Sequence, residues 1–328
     1  MTRVSRRGLM LGGLVGALGV ACTDSGYRGA ARDLKIAAGE PGGPYLAFAE
    51  RLAEQIREAQ PLLRAEALTT QASVANIELL SASMLDPATG SSVRGADLAL
   101  THADAAEAAA TGRPPFSFAT QLRALGRIYE NYLQVVVRAD SPVHRVADLK
   151  GRNVSMGAPG SGASLLATRL AAVAELTDLR RRQLRLAEAL TALERREVDA
   201  LVWSGGVPTP AIAELDERVG VRLLPLDDVY PKLRAAHGPV YEQVSVPAGG
   251  YKSVRSLPTV GVANLVVCLP DLPDDIAAEV TTVLAERADR LVPQEALGAQ
   301  FLDVRALIAT AGIPLHPGAA AVYRELHG

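Results

Sequence analysis

Apolar positions along this chain alternate between two rhythms. Short apolar runs end in loops rich in Gly, Ser, Thr and Pro, and each loop opens a stretch where apolar residues return at helical spacing. Leu34–Ala38 predicts a strand, followed by the glycine loop Gly39–Tyr45. A helix follows with Tyr45, Phe48, Ala49, Leu52 and Ile56 on one face, Pro44 at its first position and Gly43 as its cap. Leu62–Leu68 reads as the next strand, and Ser73 as the cap of a helix carrying Val74, Ile77 and Leu80. Asp97–Leu100 is a buried strand running into Thr101-His102-Ala103-Asp104. Asn153–Met156 leads through Gly157–Ser164 to a helix with Leu166, Leu170 and Val173, and Val198–Val202 leads to Trp203-Ser204-Gly205-Gly206. Strands alternating with helices predict an α/β fold with largely parallel sheets.

Two apolar runs, Tyr132–Val137 and Val260–Leu269, read as strands that cross between two lobes. They assign 33–131 and 271–328 to lobe one and 132–270 to lobe two. Ser83–Gly95 reads as a polar loop insertion. Arg180–Arg182 reads as surface charge on a polar helix, and Arg123 and Arg127 also read as surface charge.

The N-terminus is an address. Arg6-Arg7 precede an uncharged stretch, Gly8–Ala21, shorter than the roughly 20 residues that span a bilayer. This predicts a secretory signal over 1–21, and the flanking Ser5 and Leu9 resemble a twin-arginine export signal. Cys22 after Val20-Ala21 resembles a lipid-attachment site, although Gly19 stands where leucine is usual; a plain signal cut is the competing reading. Residues 22–32 form a polar tether. The body is therefore expected outside the cytoplasmic membrane, touching it only through an anchor at Cys22.

Composition narrows the function. The 328 residues, 48% hydrophobic and 21% charged, suffice for two lobes of ordinary size. A net charge of −2 supplies no field for nucleic acid. Two cysteines make no disulfide scaffold, and Cys268, inside Leu265–Leu269, reads as a core thiol. Leu165 stands where a dinucleotide fingerprint needs its third glycine, and neither a P-loop nor a hydrolase elbow occurs. The histidines at 102, 144, 237, 316 and 327 form no metal-ligand pair. No cofactor is implied.

Ligands of open parallel sheets bind where strands run into helices. Those loops here carry hydrogen-bonding groups rather than paired carboxylates. At Gly160-Ser161-Gly162 the free amides of a helix start suit an anion, with Ser161 and Ser164 adding hydroxyls. A tight turn with a serine cap is the alternative reading of that loop. The expected ligand contacts are Gly43, Tyr45, Ser73, Asn76, Thr101 and His102 from lobe one. Tyr132 at the crossing and Gly160, Ser161, Gly162, Ser164, Trp203 and Gly205 from lobe two complete the set. Core packing competes for Trp203 and Tyr132, a structural role for His102, and Asp104 reads as a helix cap.

Several of these segments, in order, resemble one family. They are Gly39–Tyr45, Ala72-Ser73-Val74-Ala75-Asn76, Asp97–Asp104, Gly157–Gly162, Trp203–Gly206 and Pro314–Ala319. Together they resemble the TAXI-family receptors of TRAP transporters. That resemblance implies a type II periplasmic binding protein fold: two lobes, each with a mostly parallel sheet, joined by two crossing strands. It implies a non-enzymatic receptor for a small carboxylate, glutamate-like or dicarboxylic. The implied partner is a membrane permease with fused small and large subunits, driven by an ion gradient. Glu40, Pro44 and His102 depart from the usual pattern, as does the length of Ser83–Gly95, which bears on the ligand more than on the fold. A receptor feeding a sensor protein and an enzyme on the same fold remain the alternatives.

Overall fold

The computed structural model describes residues 27–85, 92–293 and 304–328. The expected signal and Cys22 lie outside the described residues. The described chain opens with β1 (Arg32–Ala37), α1 (Pro44–Ala59), β2 (Leu63–Leu68) and α2 (Ser73–Ser81). A short hairpin, β3 (Ser83–Leu85) and β4 (Ser92–Arg94), precedes β5 (Leu98–His102) and α3 (Ala103–Thr111). The long strand β6 (Arg123–Arg138) then leads to β7 (Asn153–Ser155), α4 (Gly162–Val173), β8 (Arg180–Arg182), α5 (Leu186–Glu194) and β9 (Ala200–Gly205). Next come α6 (Pro210–Val219), β10 (Val221–Leu223), α7 (Tyr230–His237) and β11 (Tyr241–Val246). The second long strand, β12 (Leu257–Cys268), is followed by α8 (Asp274–Glu286), α9 (Ala288–Leu291), α10 (Val304–Leu307) and α11 (Pro317–His327).

Among the described residues ten strands join in one sheet, ordered β2-β1-β5-β12-β6-β9-β7-β8, with β10 on β6 and β11 on β12. The trio β2-β1-β5 is parallel, as is the trio β8-β7-β9. Between the trios, β6 and β12 pair antiparallel from Tyr132–Gly261 to Arg123–Cys268. The first half of β6 and the last part of β12 belong with β5, whereas the end of β6 pairs β9. These two strands are the only covalent links between the sheet halves among the described residues, and they are largely buried because both faces are covered.

Each half has its own core. Phe48, Leu52, Leu34 and Ile36 pack with Ile276, Val280 and Tyr323 of the returning C-terminal helices. Val136, Leu193, Leu201, Ile212 and Leu215 form the core of the far half. A third cluster runs through the middle of the sheet, from α3 to α4. Cys268 is fully buried in the first core, and burial pushes its thiol up to about 12.

Some expected elements differ. Arg180–Arg182 form the edge strand β8 instead of a helix, all three exposed; a charged edge discourages pairing with another chain. Ser83–Gly95 contains the β3–β4 hairpin rather than a plain loop. Ser73 is the first residue of α2, not its cap. The cap is Ala72, held at φ 73°. That leaves the Ser73 hydroxyl free to accept the His102 amide at 3.1 Å.

Candidate functional site

The strand-to-helix loops of both halves converge on one cavity of about 60 Å³. From the first half it is lined by Gly39, Glu40, Gly43, Pro44, Tyr45, Gln71, Ala72, Ser73 and His102. Asn131 comes from the crossing strand β6. The second half adds Ser155, Gly157, Ala158, Ser161, Gly162 and Ala163 around the start of α4. Leu184, Leu186 and Ala189 from the start of α5, and Leu201–Ser204 of β9, close the wall.

Seven of the thirteen expected contacts therefore meet there: Gly43, Tyr45, Ser73, His102, Ser161, Gly162 and Trp203. The other six are placed elsewhere. Asn76 is fully buried, and its amide group donates to the Ala38 and Leu100 carbonyls, tying β1 to β5. Thr101 bonds the Ser73 carbonyl beneath the site. Tyr132 packs into the far core, facing opposite to Asn131 as adjacent strand residues must. Gly160 and Ser164 border a second groove, beyond α4. Gly205 acts through its neighbour: a Cβ there would lie 2.4 Å from Trp203 Nε1, which donates instead to Thr209 Oγ1.

The start of α4 has the groups an anion needs. Ser161 caps the helix, its Oγ accepting the Ser164 amide at 3.0 Å and donating to the Ala158 carbonyl. Its hydroxyl is thus occupied. The amides of Gly162 and Ala163, both on the cavity wall, have no partner among the described residues. The start of α2 is used differently: its Val74 and Ala75 amides hold the Gly160 carbonyl of the opposite half, at 3.0 and 3.1 Å.

His102 is the centre of the polar lining. Its Nε2 receives Asn131 Nδ2 at 3.0 Å and lies 3.3 Å from Ser204 Oγ. The Asn131 amide also donates to the Ser204 carbonyl, which can only accept, so its nitrogen side is fixed. The proton of His102 then belongs on Nδ1, facing Asp104 Oδ1 at 3.7 Å. Burial pushes the imidazole below its ordinary pKa, against the pull of Asp104, so the ring is neutral at neutral pH. Tyr45 stands edge-on to it, its hydroxyl donating to Asn264 and pushed up by burial.

Among the described residues no lysine or arginine lines the cavity. Glu40 lies at its edge, 3.7 Å from Arg185 of the opposite half. Burial raises the Glu40 carboxyl, and Arg185 opposes the shift. Asp104, expected as a helix cap, is fully buried and pairs with Arg169 of α4 at 3.4 Å. Tyr241 donates to the same carboxylate at 2.7 Å.

Sequence reasoning passed over Asn131, Ser155 and Ser204. Strand alternation beside Tyr132 was the available signal for Asn131. Ser155 ends a strand at the mouth of the glycine loop, where the strand-end rule already pointed. Among the described residues no cluster of three or more His, Cys, Asp or Glu is placed to hold a metal, and no helix is long and apolar enough to cross a membrane.

A family model described as NMT1-like matches residues 36–326. Among solved structures, the periplasmic binding protein BugD is 15% identical with a TM-score of 0.53, over 90% of this chain and 93% of that one. MatC from Rhodopseudomonas palustris, solved with bound malate, is 16% identical with a TM-score of 0.55, over 90% and 97%. A protein of Bordetella bronchiseptica gives 14% and 0.56, over 90% and 98%. At these identities the likeness establishes the fold, that of the periplasmic solute-binding proteins.

Proposed function

From the premise that this chain belongs to the NMT1-like family, we propose that it is the extracytoplasmic receptor of a TRAP-type transporter of the TAXI group. It captures a small organic anion between its two lobes and delivers it to the permease. The observation that carries this reading is the pair of partnerless amides at Gly162 and Ala163, opening on a cavity built by both halves. A carboxylate there satisfies both donors and meets the positive end of α4, without a cationic side chain. The malate bound by the similarly folded MatC is an anion of the same kind. The motif resemblance to TAXI receptors supports the choice of transporter.

Ligand contacts made by both halves favour the closed arrangement, and β6 and β12 are the hinge. The permease then recognises the closed form. A thermal-shift screen of the exported protein against dicarboxylates, amino acids and hydroxy acids tests the binding step. Ligand at about 100 times its Kd adds about 2.7 kcal/mol of stability. A flat response of folded protein to every carboxylate counts against the anion reading. Uptake by vesicles bearing the permease should require both this receptor and an ion gradient.

One arrangement favours the enzyme alternative. Ser204 Oγ, His102 and Asp104 stand in the order of a nucleophile, a base and its orienting acid. The lone pair of Nε2 is nearer to Asn131 than to Ser204, however, and Asp104 Oδ1 stands 3.7 Å from Nδ1, beyond hydrogen-bond reach, while its Oδ2 holds Arg169 and Tyr241. Release of p-nitrophenol from a short-chain ester, lost in Ser204→Ala, would revive that reading.

A further inference from the structure

The cavity holds acceptors as well as donors, and the acceptors are unused. Asn131 is 2% exposed, and its nitrogen is committed to His102 and to the Ser204 carbonyl. Its Oδ1 is buried without a hydrogen-bond partner among the described residues. Ser155 is fully buried at the end of β7, and its Oγ also has no hydrogen-bond partner among the described residues. Both residues line the cavity. Glu40 Oε1 and His102 Nδ1 on the same lining also lack a hydrogen bond, but each faces a charged group 3.7 Å away, Arg185 and Asp104. A buried polar atom without a partner costs more than a hydrogen bond returns, so Asn131 Oδ1 and Ser155 Oγ, which face no such group among the described residues, call for a ligand group that satisfies them.

We propose that Asn131 and Ser155 form a donor-reading subsite, and that the ligand is a carboxylate bearing a hydroxyl or ammonium close to the carboxyl carbon. This rests on the anion reading and deepens it. Asn131 Oδ1 can only accept, so it requires an O–H or N–H from the ligand. Proximity follows from His102. Asn131 meets the ring at Nε2, whereas Gly162 lies so close to Nδ1 that a Cβ there would stand 2.4 Å away. The anion-binding amide and the acceptor therefore flank a single imidazole ring. A ligand bridging them carries its donor within a few bonds of its carboxylate. A plain dicarboxylate leaves the acceptor empty.

Titration calorimetry with matched pairs tests this on the exported protein. Malate against succinate reads a hydroxyl, and glutamate against glutarate reads an ammonium. The member carrying the donor should bind at least about tenfold tighter in one pair, and that pair identifies the group. Asn131→Leu, similar in shape but without the acceptor, should bring the ratio below about threefold while succinate or glutarate still binds. Ser155→Ala, which removes a single oxygen, should lower the same ratio without altering the fold. Equal binding within both pairs overturns the subsite and leaves the anion site standing. A ratio unchanged in both variants overturns the assignment to these residues. No binding of any of the four removes the anion reading and the subsite together.

Discussion

Gly162 has no room for a side chain because the two halves of the sheet meet on it. A Cβ would lie 2.4 Å from His102 Nδ1 and 2.7 Å from Ser73 Oγ, both in the opposite half. The sequence offered an anion loop as the reading of this glycine; the close approach of His102 and Ser73 was not legible there, since both are far away along the chain. Gly162→Ala should therefore weaken carboxylate binding at least about tenfold, measured by calorimetry, because it holds the halves apart. The unliganded melting temperature should fall little, as each half keeps its own core. His102 itself gives a pH dependence. Burial lowers its pKa in the folded state, while the unfolded chain titrates near the ordinary value of about 6.5. Below that pH the unfolded state binds the extra proton, so stability falls on acidification, by at most about 1.4 kcal/mol per pH unit from this residue. Urea unfolding at pH 7.5 and 5.5 should show a smaller loss in His102→Gln than in the unaltered chain. Equal losses would show that His102 protonates as readily folded as unfolded.

At the scale of the element, the start of α4 separates folding from binding. Ser161 satisfies the Ser164 amide as cap, a task aspartate performs equally well. Ser161→Asp should therefore keep the helix and the melting temperature, yet place a negative charge beside the amides of Gly162 and Ala163. Carboxylate-induced stabilisation should vanish while the circular dichroism spectrum stays unchanged. An unaltered thermal response would remove this helix start from the site. Elements were legible wherever a period was clear: α1 follows from Tyr45, Phe48, Leu52 and Ile56, and β6 and β12 from their apolar runs. They were illegible where tertiary pairing overrides local character. Arg180–Arg182 has a composition that reads as solvated helix, but its backbone pairs with Asn153–Ser155. Asn131 was passed over because the apolar run legible in the sequence begins at Tyr132, whereas the strand begins at Arg123, so the polar residue facing the cavity fell just outside the run.

At the scale of the whole molecule, a polar cluster that no local pattern announces joins the two halves. Asp104 of α3, Arg169 of α4 and Tyr241 of β11 meet from positions 65 and 137 residues apart in the chain. Asp104 is fully buried and Arg169 is 7% exposed. The Arg169 amino group also donates to Tyr241 Oη at 2.8 Å, so the three form a closed triangle between the halves. A buried charge left alone costs far more than an intact pair contributes. Arg169→Met strands Asp104 while the halves remain together, and opening the cleft relieves that cost by hydrating the carboxylate. The structure therefore predicts a shift towards the open form rather than global unfolding. Small-angle scattering should show a larger radius of gyration for Arg169→Met without ligand, and the apparent ligand affinity should fall by the fraction of closed molecules lost. Arg169→Met combined with Asp104→Leu removes both charges and should restore much of the closed population, as paired apolar replacements of buried ion pairs do. If the single variant instead unfolds by about 3 kcal/mol with no change of shape beforehand, the triangle belongs to the folding core and not to the hinge. The double variant then distinguishes the two, because a hinge latch recovers ligand affinity and a core contact recovers only stability.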